Sequence, residues 1–382
     1  MFFLKSSGDI RKKRVIISVT NDLTTDQRVD RVANTLVGMG FDPLLVGRNL
    51  PQSLPLHPRS YRMKRMKLFF LKGPEFYAEY NIHLFFFLLF HKAELLVSND
   101  LDSLPANFLA SRIRRIPHIH DCHEYFRGVP ELNGREKTIK AWKRIEDHIF
   151  PKLKSVYAVN NSVASIYEKE YGIPVKVIRN VPFRREKTST NRKAEMGIPD
   201  KNRVILYQGA INIDRGLEEA ILAMKFVKTP STLVIIGIGD IFEKLKQFTI
   251  DNQLDGKVKF TGQIPLEQLF SYTQIADIGL SIEKDVSLNY HFCLPNKFLD
   301  YIQAEIPVLI SPLPEMKAIV EKYDIGRIIS GHEPEMLAND IDDLLNSPDD
   351  INKYRKNLKI AAGDLCWENE EKELIRIYKP YV

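Results

Sequence analysis

Two doubly wound α/β domains, each built on a parallel sheet, are the fold the sequence predicts, and three observations predict it. The chain has 382 residues, and at roughly 150 residues per domain that is room for two cores of ordinary size. A strand–helix–strand pattern opens at Arg14 and starts afresh at Arg203. Between the two runs, residues 180–202 are polar, charged and aperiodic, as a connection between domains is.

Each element has its reason. RVIISV (14–19) is an apolar run flanked by charge, which reads as a buried strand. Val29, Val32, Ala33, Leu36 and Val37 recur at helical spacing, Gly38 and Gly40 close that helix, and FDPLLVG (41–47) is the next strand. IHLFFFLLF (82–90) is about half of the ~20 residues a membrane span requires, so a buried helix is expected there. The preceding RSYRMKRMKLFFLK (59–72) interleaves basic and apolar residues. It suits an interfacial membrane segment and, equally, a solvated loop leading into the helix. In the second half the strands are RVILYQG (203–209), TLVIIG (232–237), KVKFTG (257–262) and DIGLSI (277–282), with a helix marked by Leu217, Ala220, Ile221 and Met224. LPNKFLDYIQAEIPVLI (294–310) reads as a turn, one short helix and a strand. The domain boundary is placed near 183, giving 1–183, 184–365 and a final helix, 366–382, that returns to the first domain.

Composition excludes several classes. Hydrophobic residues at 44% and charged residues at 27% describe a globular chain rather than a disordered one. The three cysteines, Cys122, Cys293 and Cys366, are too few and too scattered for a disulfide framework or a Cys-based zinc site, so a reducing cytoplasm is the expected setting. MFFLKSSGDIRKKRVIISV places its apolar residues ahead of its charges, the reverse of a signal peptide. Charge is divided: residues 1–185 carry 31 Lys and Arg against 18 Asp and Glu, whereas 186–382 carry 24 against 31. A basic first half points to an anionic partner such as a phosphorylated substrate or lipid headgroups.

In open α/β sheets ligands bind at the carboxyl ends of the strands, so the expected site lies there, in the cleft between two facing sheets. Arg215 and Gly216 follow the strand RVILYQG and immediately precede a helix, where a cation joins free backbone N–H groups to make an anion site. Pairing of Arg215 with Glu218 or Glu219 is the plainer alternative. IIGIGD (235–240) raises dinucleotide binding, but Phe242 stands where the third glycine belongs, and the strand KVKFTG ends without the acidic partner; a tight turn fits better. Pro295, Asn296 and Lys297 open a second helix at the same edge. Asp300, one turn in, is suited to accept hydrogen bonds from a ribose diol or simply to favour the helix dipole. HIHDCHE (118–124) puts His118 and His120 on one strand face, yet supplies no converging set of three or four ligands for zinc, so no metal is expected.

The order YQGAINIDRGLEEAI, VIIGIGD, KFTGQIPLEQLFSYTQIADIGLS and LPNKFLDYIQAEIPVLIS resembles the nucleotide-sugar domain of retaining glycosyltransferases of family four, the group 1 family with the GT-B fold. TTDQRVDRVANTLVGMGFDPLLVG, SNDLDSLPANFLASRIRRIPHIHDCHEYF and YAVNNSVASIYEKEYGIPVKVIRNVP resemble its first domain, and WENEEKELIRIY its last helix. The Pro-Asn-Lys helix start marks a divergent branch. The resemblance implies transfer of a sugar from a nucleotide diphosphate donor, a UDP- or GDP-sugar, to a hydroxyl acceptor with retention, and no other cofactor. Gly209 takes the place of the initial glycine, Arg215 and Gly216 of the diphosphate-binding pair, and Gln263 and Ile264 of the segment that contacts the nucleobase. Pro295, Asn296 and Lys297 match the helix start that grips the pyrophosphate, Asp300 the ribose ligand, and His123 the histidine facing the donor sugar. Arg215, Lys297 and His123 are thus the expected catalytic residues, with His123 a proton handler.

Three positions depart from the family pattern: Phe292 stands where the first of two paired carboxylates is expected, Ala210 where a phosphate-binding Arg is, and VTNDLTTDQR lacks the paired glycines. An epimerase of the same architecture and a non-catalytic subunit therefore remain as alternatives. A glycan or lipid-linked acceptor in surface polysaccharide assembly is expected, at the inner face of an anionic membrane, and no nucleic acid.

Overall fold

The computed structural model of the chain describes residues 12–24, 26–129, 132–188 and 192–382. The expectations that rest on residues 1–11, on Thr25 and on 189–191 lie outside them. The chain divides into two compact units, the first formed by the chain up to Arg127 with Gly134–Arg179 and Glu371–Val382, the second mainly by Asn180–Glu370.

The first unit carries strands β1 (Arg14–Ser18), β2 (Asp42–Arg48), β3 (Arg62–Met66), β4 (Leu95–Asn99), β5 (His118–Cys122), β6 (Val156–Ala158) and β7 (Lys176–Val177). They form one parallel sheet in the order β3-β2-β1-β4-β5-β6-β7. The order reverses between β1 and β4, which opens a crevice at their carboxyl ends. The helix Gln27–Gly38 between β1 and β2 starts where the Asp26 side chain accepts the Val29 N–H at 3.0 Å, satisfying one of the free donors of a helix start.

Two expectations fail in this unit. Residues 62–66 are not a loop but the edge strand β3. Its Arg and Lys side chains suit an edge, where charge discourages pairing with another chain. The helix over 82–90 begins at Gly73 and runs to Phe90, and it is not buried all round. Phe76, Tyr80, Leu84 and Leu88 pack on the sheet, while Ile82, Phe86 and Phe90 are exposed. A four-residue repeat buries a single stripe of a helix, and this helix is apolar on the other side as well.

The second unit carries β8 (Arg203–Gln208), β9 (Ser231–Ile236), β10 (Val258–Gly262), β11 (Ile278–Ser281), β12 (Val308–Ile310) and β13 (Gly326–Ile328). They are all parallel, in the order β10-β9-β8-β11-β12-β13, with the switch between β8 and β11. Alternation along β8 sends Val204 and Leu206 into one core and Ile205 and Tyr207 into another. Burial on both faces is why such strands read as continuous apolar runs. Gly237 is required by close approach: a Cβ there would lie 1.9 Å from the Gly209 carbonyl oxygen. That packing of two loops is the tight turn expected of IIGIGD.

Candidate active site

At the switch point of the second unit two loops meet. The loop after β8 delivers Arg215; the loop after β11 delivers Glu283 and leads to the helix Asn296–Gln303, which carries Lys297. Gly216 lets them approach, because it sits at φ 73° and a Cβ would lie 2.4 Å from the Ile282 carbonyl oxygen. Lys297 Nζ is hydrogen-bonded to Glu283 Oε1 and lies 3.4 Å from the Tyr207 hydroxyl. Arg215 Nη1 is 3.6 Å from that same Glu283 oxygen, and its guanidinium lies over the Tyr290 ring at 4.6 Å. The other Glu283 oxygen accepts the Ser281 hydroxyl at 2.9 Å. Glu283 is fully buried, and Lys297 is nearly so. Arg215 therefore pairs with neither Glu218 nor Glu219.

Burial alone would raise the Glu283 carboxyl; Lys297 and Arg215 outweigh it and hold the group below the usual carboxylate range. Burial likewise opposes the charge on Lys297 and Arg215, and Glu283 keeps both above their ordinary values. All three groups are thus ionised at neutral pH, and two cations share one anion. The buried Arg215 Nε has no hydrogen-bond partner, so the guanidinium retains donor capacity for an anion.

Asp300 lies one turn further along the same helix, partly exposed, and accepts the Gln208 amide at 3.0 Å. Gln208 is oriented in turn by the Thr273 hydroxyl at 2.7 Å. Tyr301, next to it, is fully buried and ties the diverging strands together: its hydroxyl lies 3.1 Å from the Gln208 N–H, 3.1 Å from the Leu206 carbonyl and 3.3 Å from that of Leu280. Pro295 precedes the first helical residue, with no side chain capping the helix start. Asn296 is exposed, its side-chain oxygen accepting Asn180 Nδ2 at 3.0 Å. Gly209, at φ 124°, begins the loop after β8. Gln263 and Ile264 follow β10, two strands away from β8; Gln263 is exposed, whereas Ile264 packs against the core. Phe292 caps the short helix Leu288–His291 and brings no carboxylate. The carboxylate present is Glu283, which the sequence reading missed. Nothing in one isolated acid after a strand announces that two cations will close on it.

In the first unit His123 follows β5. Its Nε2 lies 2.9 Å from Asn99 Oδ1 and 3.1 Å from Asp121 Oδ2, and its Nδ1 is 3.7 Å from Asp100 Oδ2. Asp121 is also held by Arg28, whose Nη2 is 2.7 Å away and whose Nη1 donates to the Ile178 carbonyl at 2.6 Å. Burial disfavours the imidazolium, but Asp121 and Asp100 raise His123 to about 9. At neutral pH His123 thus holds its proton and is a donor and a cation. Nearby, burial pushes Asp102 up to about 6, although Thr20 donates to it at 2.6 Å. His118 and His120 do share a strand face, both within hydrogen-bond distance of the Ser98 hydroxyl at 2.7 and 2.8 Å. Among the described residues no group of His, Cys, Asp and Glu is placed to hold a metal ion.

Comparison with known proteins agrees with this architecture. Residues 26–181 match the model of Glycosyltransferase Family 4, and residues 188–362 that of Glycosyl transferases group 1. A D-inositol 3-phosphate glycosyltransferase of Corynebacterium urealyticum is 24% identical over 204 residues, which is 51% of this chain and 47% of that one. The chain spans about half the length of the curated relatives it matches. Among solved structures, a sucrose-phosphate synthase of Thermosynechococcus elongatus superposes with a TM-score of 0.78 at 16% identity, over 97% of this chain and 99% of the other. Anabaena HepE, in complex with UDP-glucose, does so at 0.75 and 14%, over 96% and 99%. At such identities the likeness is one of fold. With the two family models matched in tandem along most of its length, and with two all-parallel α/β units of the GT-B kind, the chain belongs to the group 1, family 4 glycosyltransferases.

Proposed function

We propose that this protein moves a sugar from a nucleotide-diphosphate sugar to a hydroxyl group of a glycan or lipid-linked acceptor, with retention at the anomeric carbon and without a metal. The observation that carries the proposal is the pair Arg215 and Lys297 on one buried Glu283, a cluster with a net positive charge at the carboxyl edge of the second sheet. As the bond between the anomeric carbon and the diphosphate breaks, negative charge grows on the leaving oxygens, and preorganised cations stabilise that change more than they stabilise the bound donor. Arg215, with its spare Nε, and Lys297 take this role. The backbone N–H groups of Asn296 and Lys297 add to it at the helix start.

Asp300 accepts the ribose hydroxyls, with Gln208 fixing its orientation. Gln263 and Ile264 contact the base through their backbone, and Gly209 and Gly216 admit the phosphates to the loop. His123, protonated, donates to a sugar hydroxyl; the proton lost by the acceptor has to go elsewhere, and the departing phosphate oxygen is the base at hand. That HepE has been solved with UDP and with UDP-glucose supports a nucleotide-sugar donor of the same class here. Surface polysaccharide or glycan assembly, by a hexosyl transfer on the inner side of a membrane, is the setting that suits such a donor and acceptor.

Thermal-shift measurement against UDP, GDP, ADP and CMP tests the donor site. Stabilisation by one nucleoside diphosphate is expected, and no response to any nucleotide would sink the reading. Conversion of a nucleotide sugar to an epimer with no acceptor present would replace transfer by epimerisation.

A further inference from the structure

The helix Gly73–Phe90 leaves Ile82 55%, Phe86 52% and Phe90 80% exposed, on the side opposite its buried stripe. The segment before it adds Phe69 at 91%, Phe70 at 52% and Leu71 at 40%. These two sets are held together, because the backbone N–H groups of Phe69 and Phe70 both donate to the Glu79 carboxylate, at 2.9 Å. Glu79 lies three residues before Ile82 and seven before Phe86, on the same helix face. An exposed apolar face of this extent on a folded domain marks an interaction surface.

Its surroundings indicate the partner. Residues 59–92 contain seven Lys and Arg and two Asp and Glu. Lys64, Lys67, Lys72 and Lys92 are exposed around the apolar face, and Lys64 leans over the Phe87 ring at 4.5 Å. Lysine stems of this kind cover apolar surface while their ammonium groups stay in a polar layer. A second copy of this chain would bring the same cations against themselves across a two-fold contact, whereas anionic headgroups neutralise them. No described helix is long and apolar enough to cross a membrane.

We propose that this face is a membrane-docking surface: the helix lies in the plane of an anionic phospholipid bilayer, with Phe69, Phe70, Phe86 and Phe90 in the acyl boundary and the lysines at the phosphates. Apolar insertion supplies the hold and the cations supply the preference for anionic lipid. The proposal does not rest on the donor-site reading, and its test needs neither nucleotide nor acceptor.

The full chain is sedimented with phosphatidylglycerol–phosphatidylcholine vesicles and with phosphatidylcholine alone. Binding to the anionic vesicles is expected, weakening in ~0.5 M salt as the charges are screened. Joint substitution Phe69→Ser, Phe86→Ser and Phe90→Ser should lower the partition coefficient about tenfold or more, with the unfolding midpoint unchanged because all three side chains are exposed. The Phe90→Trp variant provides an independent readout, since the emission of its new indole should shift to the blue on vesicle addition. The proposal is overturned if the wild type stays in the supernatant, if the triple variant binds as well as the wild type, or if the emission of the Phe90→Trp variant is unmoved. It also fails if the wild type is a dimer that the serines dissociate and no vesicle binding is seen, which would make the face a self-association surface.

Discussion

Both units close two cations on one buried carboxylate at the strand ends of their sheets, and they differ in what surrounds that pair. In the second unit two cations converge on one carboxylate, Glu283, at the switch between β8 and β11. In the first, beside the switch between β1 and β4, Arg28 and His123 converge on Asp121, with Asp100 3.7 Å from His123 Nδ1 and burial raising the carboxyls of both Asp100 and Asp102. The crevice geometry is common to both, since each parallel sheet reverses its order once. What differs is the setting: the first pair has the burial-raised carboxyls of Asp100 and Asp102 beside it, whereas the second stands at a helix start, with Lys297 in the first turn of the helix Asn296–Gln303. One sheet topology, used twice, thus carries a similar charged pair in two different surroundings.

The largest test of this contrast is to strand one buried carboxylate in each unit. Lys297→Ala leaves Glu283 with only Arg215, and Arg28→Ala leaves Asp121 with only His123; each should cost about 3–5 kcal/mol of stability, as loss of one partner of a buried pair does. Urea unfolding measures it, and only the Lys297 variant should also lose nucleoside diphosphate binding. Equal loss of nucleotide response in both variants would end the division of labour.

Arg215→Ala separates charge from stability, because Arg215 is the less buried partner of Glu283. Its turnover should fall by about 10²–10³, as when one transition-state donor is removed, with diphosphate binding weakened together. Unchanged kinetics would take Arg215 out of the mechanism.

The third test is pH. His123 is raised from the ordinary histidine value of 6.5 to about 9, so its contribution to stability is complete below 6.5 and is lost as pH rises through 9. His118 and His120 are lowered from 6.5 to about 3 and about 4, burial being the main cause, so theirs is present above 6.5 and is lost as pH falls. The first unit should thus be most stable near pH 6.5, and the alkaline decline, on the order of 3 kcal/mol at most, should vanish in His123→Gln. A wild-type profile that is flat from 6.5 to 9 would contradict the charge assigned to His123. The smallest effect is expected for Asp300→Asn, which keeps the shape but weakens the acceptor for ribose hydroxyls: about a tenfold rise in donor KM at unchanged kcat. An unaltered KM would return Asp300 to a helix-dipole role.

The strands that were legible in the sequence are those buried on both faces, such as β8 and β9, whose unbroken apolar runs admit no other reading. β3 was not legible, because an edge strand alternates with Arg and Lys and looks like a surface loop. The helix Gly73–Phe90 misled in the other direction: its apolar residues encircle it, and composition cannot say which face the sheet will cover. Arg215, Lys297 and Asp300 were expected from the sequence because they stand just before or just inside helices that follow strands. Glu283 and Tyr301 were not, for their roles exist only after β8 and β11 pair and bring remote loops into contact.

The sequence by itself determined the two parallel sheets and the strand-to-helix turns at their carboxyl ends, since apolar periodicity and helix-start residues are local properties of the chain. The tertiary structure decided the charge state of His123, the shared counter-ion of Arg215 and Lys297, and which side of the largely apolar helix Gly73–Phe90 is left facing outward. Those depend on burial and on distances between residues far apart in sequence, and electrostatic energies change steeply with both.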